Sequence, residues 1–192
     1  MKKIVAIAAL SLATSLPAAA ADYNNSGHFL LGMGLTFGGD TLVTLHYTDG
    51  STSSIKSGGL VHIYGGYEYR FSNRVSVQAN VGYHVDDENA KNGSVKFSRY
   101  PLELLGYYGI TDNVRLGGGL RYVTSPKVSG SGVVDSADFE FNNATGLVVE
   151  GEYLISPQFG VKLRAVSEKY KLKDGSASAN GNHGGIYASY YF

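Results

Sequence analysis

The chain of 192 residues contains no cysteine and no tryptophan. Without cysteine there is no disulfide framework and no thiol chemistry. An excess of one charge is missing too: sixteen Lys and Arg stand against sixteen Asp and Glu, so no basic face is offered to nucleic acid. Beyond the N-terminus there is no continuous apolar run of the roughly 20 residues that a membrane-spanning helix requires. The N-terminal run, Ile4 to Leu16, is itself too short for that role. Lys2 and Lys3 precede it, and the small residues Ala19-Ala20-Ala21 follow it before Asp22, which are the three regions of a secretory signal peptide in order. The expectation is a signal peptide at 1–21, with Ala19 and Ala21 at the cleavage site, and a mature single domain at 22–192. A buried N-terminal helix would not account for that order. Losing Lys2 and Lys3 leaves the acidic residues two ahead. An exported chain without disulfides needs another source of stability, and a closed β-barrel supplies one.

What the chain does have is glycine, 26 residues, and tyrosine, 15 residues, with few helix-favouring blocks. That balance suits β structure. Period-two alternation, the mark of a strand with one apolar face, recurs eight times. The apolar faces are Phe29 to Phe37, Val61 to Phe71, Val75 to Val85, Leu102 to Ile110, Val114 to Tyr122, Leu147 to Ile155, Phe159 to Ala165, and Ile186 to Phe192. The spacing of the first strand predicts that it runs on past Gly38-Gly39 to Tyr47, where Thr48-Asp49-Gly50-Ser51 signals a hairpin. Asp87 to Ser94, Ser125 to about Asn143, and Lys173 to Asn182 are expected to be loops.

Three connections are tight and share one layout: Phe71-Ser-Asn-Arg-Val75, Ile110-Thr-Asp-Asn-Val114 and Ile155-Ser-Pro-Gln-Phe159. The other four are longer and polar. The tight turns fix the register of the hairpins they close. Centring them on Asn73, Asp112 and Pro157 sets His62 opposite His84, Glu103 opposite Arg121, Glu150 opposite Arg164 and Glu152 opposite Lys162. The non-apolar face as a whole carries Glu68, Glu103, Glu150, Glu152 and Glu168 against Arg70, Arg115, Arg121, Lys162 and Arg164. Matched opposite charges are what a closed polar interior requires, because an unpaired buried charge is strongly unfavourable. The expectation is a salt-bridge network that plugs the lumen, since an eight-strand barrel is about filled by its own side chains. His62, His84 and Asp86 together suit a metal, but hydrogen-bonded packing is the simpler reading, and no metal ligand, cofactor site or catalytic residue is assigned. Gly65-Gly66, Gly117-Gly118-Gly119 and Gly184-Gly185 mark bulges, curvature or close backbone approach in strands; no helix follows them, so none is a phosphate loop.

The last ten residues, His183-Gly-Gly-Ile-Tyr-Ala-Ser-Tyr-Tyr-Phe192, form an alternating strand long enough to cross a bilayer when tilted. Ile186, Ala188, Tyr190 and Phe192 share its apolar face. With the signal sequence, the strand count and the alternation of short turns with long loops, the whole mature chain resembles the small eight-stranded bacterial outer-membrane barrels of the outer membrane protein A transmembrane-domain and outer membrane protein X type. The fold expected is therefore all-β, an eight-stranded antiparallel up-and-down transmembrane β-barrel. The resemblance implies that the terminal strand is the assembly signal. It also implies a monomer in the outer membrane of a Gram-negative bacterium, with both termini periplasmic. Its partners would be outer-membrane lipid including lipopolysaccharide, and the barrel-assembly machinery and periplasmic chaperones during biogenesis. Outward aromatics at the short-turn ends (Tyr69, Phe71, Tyr108, Tyr153, Phe159, Tyr190, Phe192) and at the far ends (Tyr83, Tyr122) would form the two interfacial girdles. The role expected is structural, for envelope integrity or surface contact, and not enzymatic. The alternatives are a lipid A-modifying enzyme, against which His183 is followed by Gly184-Gly185 in place of the deacylase His-x-Ser-Asn pattern, and a small-solute channel. A soluble β-sandwich would explain the alternation but not the export signal, the loop asymmetry and the terminal Phe together.

Overall fold

Each alternating run becomes a strand because its apolar side chains fall on one face and its polar ones on the other. The computed structural model describes residues 26–46, 50–90, 93–132 and 138–192. The expected signal peptide, with Ala19 and Ala21, and the hairpin tip at Thr48-Asp49 lie outside the described residues. Eight strands form the wall: β1 Ser26–Gly38, β2 Val61–Arg70, β3 Val75–Ala90, β4 Gly93–Gly109, β5 Val114–Gly132, β6 Ala144–Ser156, β7 Phe159–Ser167 and β8 His183–Tyr191. Every strand pairs antiparallel with its sequence neighbours. β1 closes on β8 from Leu30↔Tyr191 to Gly38↔His183, which leaves the wall without an edge.

The barrel is inverted relative to a water-soluble protein. Phe29, Leu147, Val149 and Leu163 are 59–69% exposed on the outside, while Glu68, Arg121 and Lys162 are fully buried inside. A soluble sandwich would reverse this arrangement, so the outward face is a lipid-facing belt. Tyr69 packs on Phe71 (ring centroids 4.9 Å) and Tyr190 on Phe192 (5.0 Å) at the short-turn rim; Tyr83 packs on Tyr100 (5.3 Å) at the other.

Glycines make room for the inward tyrosines. Gly32 is the register partner of Tyr64, Gly34 of Tyr187 and Gly117 of Tyr107. In each pair the tyrosine ring lies where a Cβ on the glycine would stand.

At the long-loop end the chain is more ordered than its sequence suggests. The segment expected as a loop at Asp87 to Ser94 continues the β3–β4 ladder, with Asp87↔Lys96 and Asn89↔Ser94 paired. The first part of the expected loop after Ser125 is strand β5, whose Val128 faces Phe97. Above the belt neither face meets lipid, so strand pairing persists without an apolar outer face to announce it. The expected extension of β1 past Gly38-Gly39 is instead a break. Both glycines have positive φ (125° and 76°), a conformation open to residues without a Cβ, and the chain turns there into a separate hairpin, Thr41–His46 with Thr52–Lys56. A second small hairpin, Lys169–Lys171 with Ser178–Asn180, lies between β7 and β8. Leu45 and Ile55 of the first hairpin, Phe97 and Val128 of the wall, Phe141, and Tyr170 of the second hairpin are buried together. Phe97 stands at the centre, with its ring 5.7 Å from Phe141 and from Tyr170. This second core forms a head over that end of the barrel.

Candidate functional site: the lumen and its cap

Alternation alone aims the polar side chains of all eight strands at one axis. The ten charged residues singled out from the sequence meet there in one connected chain of alternating sign. Arg70 bonds Glu68, whose carboxylate also takes Arg115 at 2.8 Å. Arg115 reaches Glu152 at 2.6 Å, and Glu152 lies 3.8 Å from Lys162. Lys162 is 3.0 Å from Glu150, and Glu150 bonds Arg164. Arg164 reaches Glu103 at 3.0 Å, Glu103 takes Arg121 at 2.6 Å, and Arg121 ends on Glu168 at 3.0 Å. The series runs from the short-turn end to the head without a break in sign.

Tyrosines fill the space between the ions. Lys162 donates to the Tyr107 hydroxyl at 2.9 Å, and that hydroxyl donates to Glu150. Arg115 donates to the Tyr191 hydroxyl at 2.6 Å, and Tyr191 donates to Glu152 at 2.7 Å. Arg115 lies 4.5 Å over the Tyr107 ring and Arg164 lies 4.6 Å over Tyr187. Every carboxylate in the ion chain is held by a cation.

Above the ion chain sits a histidine layer. His62 stacks on His84 (5.0 Å) and His84 meets His183 edge-on (5.2 Å). The nitrogens of His84 face Arg121 at 3.0 Å on one side, and Thr36 at 2.8 Å and Arg99 at 3.0 Å on the other. The imidazole can accept from only one of the two guanidinium groups, and two cations beside the ring oppose a bound metal ion. Asp86 is drawn away from the histidines to the backbone N–H of Lys56 in the head, at 2.8 Å. Ser189 points into the lumen, and its hydroxyl bonds the Tyr64 hydroxyl at 2.7 Å.

Arg99 is the functional-looking residue that sequence reasoning missed. It is fully buried, donates to the Gly59 carbonyl at 3.0 Å, and lies 4.6 Å over the Phe97 ring. It has the parity of Glu103 on the same strand, and that was the available signal. In the head, burial pushes the Tyr170 hydroxyl pKa well up, and the hydroxyl donates to Glu168 at 2.5 Å. On the head surface a hydrogen bond from Lys173 holds the Glu140 carboxyl below its usual range.

The terminal strand completes the wall. Ile186, Ala188 and Tyr190 pair with Leu35, Met33 and Leu31 of β1. The Phe192 backbone N–H donates to the Phe29 carbonyl at 2.9 Å, and the Phe192 ring is 53% exposed at the short-turn rim.

Comparison with known proteins agrees with this geometry. A search of curated proteins finds no match. Among solved structures the chain is similar to Ail, the attachment invasion locus protein of Yersinia pestis, crystallised with the heparin analogue sucrose octasulfate. The two are 17% identical, with TM-score 0.55, over 88% of this chain and 99% of that one. It is also similar to Neisserial surface protein A, at 9% identity and TM-score 0.53, over 86% of this chain and 97% of that one. At such identities the likeness shows the fold alone. The family model described as "Outer membrane protein beta-barrel domain" matches residues 6–192, and the chain accordingly belongs to that family of Gram-negative outer-membrane β-barrels.

Proposed function

We propose that the protein is a structural, surface-contact barrel: a monomer whose lumen carries nothing and whose head is its working face. Both termini and the tight turns lie in the periplasm, and the head faces outward. The observation that supports this reading is the capped interior, in which an unbroken chain of ion pairs fills the axis under a head with its own hydrophobic core. A wall so built gives the envelope a rigid element and gives the outside a fixed surface. The partners that follow are outer-membrane lipid including lipopolysaccharide around the belt, and periplasmic chaperones and the barrel-assembly machinery during insertion. Against the catalytic alternative, each lumen carboxylate of the ion chain is engaged by a cation.

A deletion strain tests the reading. Envelope permeability to a bulky antibiotic should rise, or attachment to surfaces should fall, with the lipid A mass spectrum unchanged. No change in either property overturns the proposal, and a lipid A species gained or lost on deletion replaces it with the enzymatic one.

A further inference from the structure

The seam between β6 and β7 parts at its upper end. Ladder pairing extends to Ser167↔Leu147. The two sides meet again at the bridge between Phe141 and Leu172, where the Asn142 N–H donates to the Lys171 carbonyl at 2.8 Å. Between these points lies a notch of about 510 Å³ in the outer surface of the wall. Thr145, Leu147, Ser167, Lys169, Asn180 and Asn182 surround it.

The amides and the ammonium of this notch offer donors. Asn180 Oδ1 accepts from the Asn182 N–H at 2.8 Å, and Asn182 Oδ1 accepts from the Glu168 N–H at 2.9 Å. Of a side-chain amide only the oxygen can accept from a backbone N–H, so both side-chain NH₂ groups are left over. They have no protein partner among the described residues, and neither has the Lys169 ammonium. Lys171, two residues on and exposed, brings a second ammonium to the same face. The carboxylate at the floor, Glu168, is turned inward and held by Arg121 at 3.0 Å and Tyr170 at 2.5 Å. Asp40 is occupied by the Asn180 backbone N–H at 2.8 Å.

The depth of the notch is set by register. Leu147 pairs with Leu120 in the apolar belt, and Thr145 pairs with Tyr122 of the upper aromatic girdle. The lower edge of the notch, at Leu147, therefore touches the acyl region, and its donors stand in the headgroup layer.

We infer that this notch seats the phosphorylated headgroup of an outer-leaflet lipid. The phosphate rests on Lys169, Lys171 and the amides of Asn180 and Asn182, and the adjoining acyl segment lies against Leu147. The inference rests on the outward orientation of the head proposed above and is independent of the closed lumen.

The test is native mass spectrometry of the full chain in detergent, titrated with bisphosphorylated lipid A and with the same lipid stripped of phosphate. The phosphorylated form should bind about tenfold more tightly, in keeping with two ammonium groups near an anionic surface. The double variant Lys169→Gln, Lys171→Gln should lose that preference, and Lys96→Gln, exposed on β4, should keep it; heat-modifiable gel mobility verifies that each variant is folded. Equal affinity for the two lipids, or a preference that survives the double variant, overturns the site. Displacement of the lipid by an equal concentration of inorganic pyrophosphate also overturns it, because phosphate without a lipid would then suffice. Orientation is read separately with a membrane-impermeant amine reagent on intact cells. Labelling of Lys96 supports an outer-leaflet source, and protection of Lys96 removes that source even where binding in detergent holds.

Discussion

At the residue scale the interior poses a problem of charge. A buried ion pair gains Coulomb energy in a low dielectric, but it loses the hydration of both partners, and the balance is often near zero. What makes such an interior stable is completeness. Glu150 shows this best: it is met by Lys162, by Arg164 and by the Tyr107 hydroxyl, and Arg164 in turn is shared with Glu103. Neutralising one member leaves its partner desolvated. Glu150→Gln or Arg164→Gln alone should each cost about 3–5 kcal/mol, whereas the double substitution should cost clearly less than the sum. Exchanging the two signs should recover part of the loss. A double-mutant cycle on urea unfolding in lipid vesicles measures this coupling. If the two single substitutions cost little and add independently, the pair does not contribute as the geometry requires.

At the scale of elements, β8 carries the largest consequence because it closes the wall. Its outward residues Ile186, Ala188, Tyr190 and Phe192 meet lipid, its inward Tyr187 and Tyr191 meet the ion chain, and its backbone pairs with both β1 and β7. Phe192→Ala removes an exposed ring at the rim and breaks no ion pair. A stability defect in the finished barrel should therefore be small, and any loss should arise during insertion. The expected outcome is export at normal levels with a reduced heat-modifiable, folded fraction in the outer membrane; folded levels equal to the unsubstituted protein would refute the assembly role. Elements were readable from the sequence where lipid imposes a rule. Below the girdle every second residue is apolar, and the three tight turns place Glu150 opposite Arg164 and Glu103 opposite Arg121 by counting alone. Bridges that cross the lumen, such as Arg115 to Glu68 and Arg164 to Glu103, join strands that are not neighbours, so no hairpin count reaches them. The head was illegible for a different reason. Val95, Phe97, Val128, Phe141 and Tyr170 converge from four separate segments, and none of those segments needs an apolar outer face once it has left the bilayer. Arg99 fell between the two regimes, three residues above Leu102, where the clear alternation of its strand begins.

At the scale of the whole molecule, the question is whether water can cross. An eight-strand barrel encloses a space about as wide as its own side chains. Here that space holds ten acidic and basic side chains, with Tyr64, Tyr107, Tyr187 and Tyr191 buried among them. A path would have to pass the Arg70–Glu68–Arg115 group at one end, the Glu150–Arg164–Glu103 group in the middle and the histidine layer above it. Beyond these, the head closes over Phe97 with Phe141 and Tyr170 packed against it. Opening any one barrier leaves the others shut, and opening the middle one separates charges that have no water to turn to. The purified protein in planar bilayers should therefore give no stable, well-resolved current steps across the voltage range in which general porins conduct. Loosening the head by Phe97→Ala should not change that, because the ion pairs from Arg70 to Glu103 are made between residues of the wall strands. Current steps of porin size from the unsubstituted protein would mean that the alternating ion chain comes apart in the membrane. Steps that emerge only in Phe97→Ala would mean that the head, and not the ion chain, is the seal.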